Sequence, residues 1–213
     1  TEKIKAAPVI VDIDEDGKPE ILVAYDAGGS LNVDAWSPRL SCTVTGWSYS
    51  GHSEELLWSW DDDSLMISSD EGPYTSGILG GHKPTTQPLL ADIDLDGDAE
   101  LVIAAIDEVS EDPVVLALPL QVNGTPNSLW EVTLSKGSHP SDPAFAQVDD
   151  DTGYVILTTI EANNGAMWVW KIDSETGSSA WQGGLSLNNL DGDTNSPHIR
   201  LPGPIVANLD SDE

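Results

Sequence analysis

One acidic phrase is written twice in this chain, and it constrains both fold and chemistry. Residues 12–20 read DIDEDGKPE and residues 92–100 read DIDLDGDAE, so both follow the pattern D-x-D-x-D-G-x-x-E. Each phrase follows a short apolar run, Pro8 to Val11 or Pro88 to Ala91, and precedes another, Ile21 to Ala24 or Leu101 to Ala105. Two worn copies align with them: Gln147, Asp149 and Asp151, then Asn208, Asp210 and Asp212. The phrase is therefore at once a cluster of charge and a unit of repetition.

Alternating carboxylates converge only where the backbone curls, and a glycine in sixth place permits the tight turn. Asp12, Asp14, Asp16 and Glu20, with the Lys18 carbonyl, then form one oxygen cage. Asp92, Asp94, Asp96 and Glu100, with the Asp98 carbonyl, form a second. Like charges about 4 Å apart repel by roughly 1 kcal/mol in water and about 4 kcal/mol at an effective dielectric of 20. A divalent cation removes that cost. Hard oxygen donors and flexible geometry favour Ca²⁺ over Mg²⁺, so two calcium sites are expected.

An EF-hand loop would need an acid in twelfth place and flanking helices. Here the twelfth residues are Val23 and Ile103, and the flanks are β-like. The third copy lacks the glycine and carries Val155 in the last-acid position, so it is expected to be empty. Asn208, Asp210 and Asp212 make a partial site, since the chain reaches Glu213 before the phrase is complete.

The formal net charge is −29, from 37 acids against 8 bases. Nucleic-acid binding needs clustered Lys and Arg to neutralise phosphates, and so is excluded as a role. Anionic membrane surfaces are disfavoured for the same reason, and no run of 18 apolar residues suggests insertion. Hydrophobic content of 39% is adequate for a core. An acidic, Lys-poor surface suits an extracellular or saline setting, where salt screens self-repulsion. Cys42 is alone, so no disulfide forms within the chain.

Between the acidic phrases lie short runs rich in Val, Ile, Leu and Trp, separated by Gly, Asp, Asn, Ser and Pro. No window carries a 3.6-residue apolar period. The loop starts at 12, 92, 147 and 208 are 80, 55 and 61 residues apart. Four strands at such a period are the mark of a propeller blade. The expected fold is all-β: a β-propeller of three four-stranded blades plus the start of a fourth. Blade 1 covers about 6–62 with an insertion at about 39–52, blade 2 about 86–135, blade 3 about 141–183, and blade 4 starts at 203–213. The stretch from Asp61 to Thr86 is a second candidate insertion. Propellers close with about 4 to 8 blades, so the rest of a parent chain or self-association is expected to complete the ring.

These acidic loops between β runs resemble the FG-GAP/VCBS-type calcium-binding β-propeller repeat found in integrin α-subunit heads. The resemblance covers essentially the whole chain, although the Phe-Gly and Gly-Ala-Pro phrases that named the family are missing. It implies calcium held by Asp12, Asp14, Asp16, Lys18 and Glu20, and by Asp92, Asp94, Asp96, Asp98 and Glu100. Residues 165–181, GAMWVWKIDSETGSSAW, are similar to the repeat of quinoprotein-type propellers. The function implied is that of a secreted or cell-surface module for adhesion or protein interaction, non-catalytic, with a protein or carbohydrate ligand.

Enzyme alternatives stay open. His82, His139 and His198 each precede the first strand of a blade. In the resembling topology they open near the central funnel, where they could bind a transition metal or a carboxylate; turn capping is the plainer reading. With a carboxylate or Arg200 in one cleft they would fit a polysaccharide lyase built on the same scaffold. A quinone-dependent dehydrogenase ranks lower, because one cysteine cannot form a vicinal disulfide. The eight Trp residues are read as blade packing, with Trp36 and Trp47 the best candidates for ligand stacking.

Overall fold

The computed structural model describes residues 3–4, 6–13, 15–27, 30–39, 53–62, 65–66, 86–107, 109–120, 126–137, 139–160, 166–186 and 203–206. All regular structure among them is β. The strands fall into three antiparallel sheets that follow one another along the chain. The first holds β1 (Lys3–Ile4), β2 (Val9–Val11), β3 (Glu20–Ala27), β4 (Ser30–Arg39) and β5 (Ser53–Asp62). The second holds β6 (Leu65–Met66), β7 (Leu89–Ala91), β8 (Glu100–Asp107), β9 (Pro113–Pro119) and β10 (Trp130–Thr133). The third holds β11 (His139–Pro140), β12 (Ala144–Asp149), β13 (Thr152–Ile160), β14 (Ala166–Asp173) and β15 (Ser179–Ser186).

The topology is one plan used three times. Two short strands pair end to end along one edge of the same long strand: β1 and β2 on β3, β6 and β7 on β8, β11 and β12 on β13. Two further strands then continue as a meander. The second sheet takes in Leu65–Met66, ahead of the expected start at 86, because Met66 pairs with Ile106. The third runs from His139 to Ser186, wider than 141–183. The insertion expected near 39–52 falls between β4 and β5, whose register joins Arg39 to Ser53; residues 40–52 and 67–85 lie outside the described residues.

Register explains the hydrophobic patterning. In β3 buried and half-buried positions alternate, as in β13, which is what a strand covered on one face requires. β8 and β9 are instead buried at nearly every position. Their unbroken apolar runs, ELVIAAID and PVVLALP, suit a sheet covered on both faces. Leu101, Ile103, Leu116 and Leu118 pack with Leu22, Leu31, Val33 and Trp60 of the first sheet. From the other face Val102, Ala104, Val115 and Trp130 pack with Val155, Leu157, Trp170 and Ile172 of the third. The second sheet is thus the middle layer of a stack.

A hydrogen-bond relay ties successive repeats together just before the recurring prolines Pro8, Pro88, Pro143 and Pro204. The Ala7 N–H donates to Gln87 Oε1. The Gln87 N–H donates to Asp142 Oδ1 at 2.7 Å. Gly203, at the next such position, lies so close that a Cβ there would stand 3.1 Å from the Asp142 carbonyl oxygen.

Val115 and Val169 occupy the same repeat position, opposite Ala104 and Thr158 respectively. Val115 is fully buried between sheets, whereas Val169 is half-buried on the outer face of the third. Val115→Ala should therefore cost about 2 kcal/mol, from roughly 0.8 kcal/mol per buried methylene plus a cavity term, and Val169→Ala less than about 1 kcal/mol. Denaturant titration of the two variants checks this; equal losses would mean that the third sheet is covered on both faces.

Candidate metal centre

The first two acidic phrases become hairpin loops of matching build. Val11 pairs with Glu20 across the base of one, and Ala91 pairs with Glu100 across the other. Left-handed backbone turns each loop at two points: Glu15 and Gly17 (φ 56° and 83°), Leu95 and Gly97 (φ 62° and 102°). Glycine adopts that region without steric cost, which is why the sixth place of the phrase holds it. The acid in first place then folds over the turn. Asp12 Oδ2 accepts from the Gly17 N–H at 2.8 Å, and Asp92 Oδ2 accepts from the Gly97 N–H at 3.1 Å. The acid in last place reaches back. Glu20 Oε2 accepts from the Ile13 N–H at 2.9 Å, and Glu100 Oε2 from the Ile93 N–H at 2.9 Å.

In the second loop Asp92, Asp94 and Glu100 each bring a carboxylate oxygen within 4.8 Å of the others. Of the expected ligands these three converge. Asp96 is exposed and accepts from the Asp98 N–H at 2.9 Å. Asp92 Oδ1 is buried with no hydrogen-bond partner. Buried polar atoms are nearly always satisfied, so this oxygen is an acceptor in want of a donor or an ion. Glu100 is 3% exposed. Burial pushes its carboxyl up to about 7, with the charges of Asp94, Asp96 and Asp92 adding to the rise and the Ile93 N–H opposing it. Burial also raises Asp94, helped by Asp96 and Asp92. Burial and mutual repulsion thus make Asp94 and Glu100 hold their protons more tightly than free carboxyls do.

The first loop has the same armature and a different charge. Asp14 lies outside the described residues. Lys18 stands where the second loop has Asp98; its ammonium pairs with Asp16 Oδ2 while its N–H donates to Asp16 Oδ1 at 2.8 Å. The Lys18 hydrogen bond holds the Asp16 carboxyl below its ordinary range. Glu20 is buried like Glu100.

The third copy is a tight turn between β12 and β13, with the Asp151 N–H donating to Asp149 Oδ1 at 3.0 Å. Tyr154, opposite Ala146, takes the place that Glu100 holds opposite Ala91. The loop is one residue shorter than its predecessors, so the last-acid position is Tyr154 and not Val155. No carboxylate stands there. Asn208, Asp210 and Asp212 lie outside the described residues.

His139 sits in β11 and is 1% exposed, and burial lowers its imidazole to about 4. Packed protein, not an open funnel, surrounds it. His82, His198, Arg200 and Trp47 lie outside the described residues. Trp60, Trp130 and Trp170 are buried between sheets, and Trp36 is half-buried. Sequence reasoning passed over Ile93, the apolar residue inside the acidic phrase, and Ser174, whose hydroxyl donates to the Ile93 carbonyl. The recurrence of isoleucine in second place in both phrases was the available signal.

Compared with protein-family models, with curated proteins and with solved structures, the chain finds no match.

The Glu100 shift sets a pH dependence. The folded protein without an ion holds this proton more tightly than the unfolded chain. Its contribution to stability is therefore present below the ordinary 4.5 and lost as pH rises through about 7. If a cation binds at the second loop it would have to displace that proton, and its affinity should then fall about tenfold per pH unit below about 7. Calorimetric titration between pH 8 and 5 reads this. Glu100→Gln should bind more weakly at pH 8 and lose most of that slope; an unchanged slope would place the titrating group elsewhere.

Proposed function

We propose that this chain is a calcium-stiffened repeat module of the β-propeller type, acting by binding and not by catalysis. The observation that carries this is the vacant, buried Asp92 Oδ1 beside Asp94 and Glu100, three carboxylates within 4.8 Å with no cationic side chain in their own loop. The first loop, from Asp12 to Glu20, repeats the same backbone clasps and is read as the second calcium site. Three like sheets stacked in chain order, with Gly203 beside Asp142 as the next step, favour radial blades over a closed barrel.

The address that suits such a module is extracellular or cell-surface, where free calcium matches sites of about 10⁻⁴ to 10⁻³ M. The partner is a protein or a carbohydrate ligand, docked on loops that the scaffold presents. The resemblance to FG-GAP/VCBS repeats points the same way.

Calcium at about 10 mM, ten- to a hundredfold above such dissociation constants, should stabilise the fold by about 1.4 to 2.7 kcal/mol per site. Thermal melting in calcium and in chelator reads the difference. Asp94→Ala should remove one ion of two by calorimetry and lower the calcium-dependent part of the melting shift. Superimposable melting curves with and without calcium would sink the calcium reading.

A further inference from the structure

We infer that Ser174 is a positioning residue for the second cation loop: by fixing Ile93 it sets the carboxylates of Asp92, Asp94 and Glu100, and it couples ion binding there to the contact between the second and third sheets. This rests on the cation reading of that loop and adds to it a second sheet as a working part of the site.

Ile93 stands between two of the converging acids, and it is held in three ways. Its side chain is 0% exposed within the core shared by the second and third sheets. Its N–H donates to Glu100 Oε2 at 2.9 Å. Its carbonyl accepts from the Ser174 hydroxyl, which comes from the third sheet. Fixing both backbone polar groups of Ile93 fixes the directions in which Asp92 and Asp94 leave the chain.

Ser174 is itself anchored. It is 2% exposed, and its N–H donates to the Gly153 carbonyl at 3.2 Å. Its own carbonyl accepts from Trp130 Nε1 of the second sheet at 2.7 Å. The turn that carries it is closed by the Gly177 N–H to Asp173 O at 2.9 Å and the Asp173 N–H to Ser178 O at 2.8 Å. Gly177 has φ +70°, and a Cβ there would stand 2.9 Å from the Trp130 ring. The turn thus lies on Trp130 while its serine holds the cation loop.

The first loop supplies an internal control. Glu100 pairs with Pro119, and Tyr154 pairs with Asp173. Leu120 therefore takes in the second sheet the place that Ser174 takes in the third. Leu120 packs against the core with Ile13 and offers no hydroxyl. The Glu20 to Ile13 clasp is present in the first loop, but of these two loops the second is the one whose neighbour brings a serine hydroxyl to this place. Coupling is reciprocal: if the held turn favours ion binding, the bound ion must steady the turn.

The test is a calcium titration of the full chain by NMR, with the Gly17 and Gly97 amides as separate reporters of the two loops and amide exchange at Asp173 and Gly177 as the reporter of the turn. Ser174→Ala should weaken the Gly97 titration about three- to tenfold, the range of one net hydrogen bond, and leave the Gly17 titration unchanged. In the unsubstituted chain calcium should slow exchange at Asp173 and Gly177. In Asp94→Ala, where Ser174 is intact and the second loop is disabled, calcium should leave that exchange unaltered. If Gly97 titrates but turn exchange in the unsubstituted chain ignores calcium, the inference fails and the cation reading stands. Equal weakening at Gly17 and Gly97 in Ser174→Ala also overturns it. If neither glycine responds up to about 10 mM calcium, well above the expected 10⁻⁴ to 10⁻³ M, the cation reading falls and takes the inference with it.

Discussion

Burial of the second sheet on both faces is the constraint on which the rest of the structure depends. A sheet covered on one side alternates apolar and polar residues, and its register is fixed by which set faces the core. β8 and β9 have given up that alternation, so neither face tolerates water. Each side must be covered by another sheet, and the neighbours in sequence supply the cover. The loops at the end of the stack then inherit their positions from packing that lies away from them. Burying Glu20 and Glu100 under that packing gives each acidic loop a fixed foot in the sheet and leaves its tip in solvent.

Much of this was legible in the residues. The matching phrases at 12–20 and 92–100 do become matching loops, and the apolar runs beside them do become paired strands. Which sheet lies in the middle was not legible, because Ile21 to Ala24 and Tyr154 to Leu157 are apolar runs as unbroken as Leu101 to Ile106, and only burial tells them apart. The split of the first strand into two pieces was not legible, because β6 is two residues long and carries no period. The one-residue shortening of the third loop was equally hidden. Tyr154 and Val155 are both plausible strand residues, and only the pairing with Ala146 decides between them. Ser174 was out of reach for a different reason. Its role depends on a contact between residues 81 positions apart, and no local pattern encodes it.

The two acidic loops show how far identical spacing can diverge in chemistry. Both hold the glutamate by an isoleucine N–H and the first aspartate by a glycine N–H. One carries Lys18, whose ammonium already neutralises Asp16. The other carries Asp98, which adds charge to a loop where burial, and then neighbouring charge, already raises Asp94 and Glu100. The backbone sets the shape of the loop, and the side chain at the seventh place sets the charge around it.

The relay before the prolines gives the repeats a direction. Ala7 gives a bond and receives none through its side chain; Gln87 receives one and gives one; Asp142 receives. The bond runs in a single sense along the chain, from each repeat to its successor. The three repeats are therefore not interchangeable at this position. Moved between the other two, the first copy would put Ala7 where an acceptor side chain is required. Serial order is thus marked by which side chain, Ala7, Gln87 or Asp142, stands before each proline.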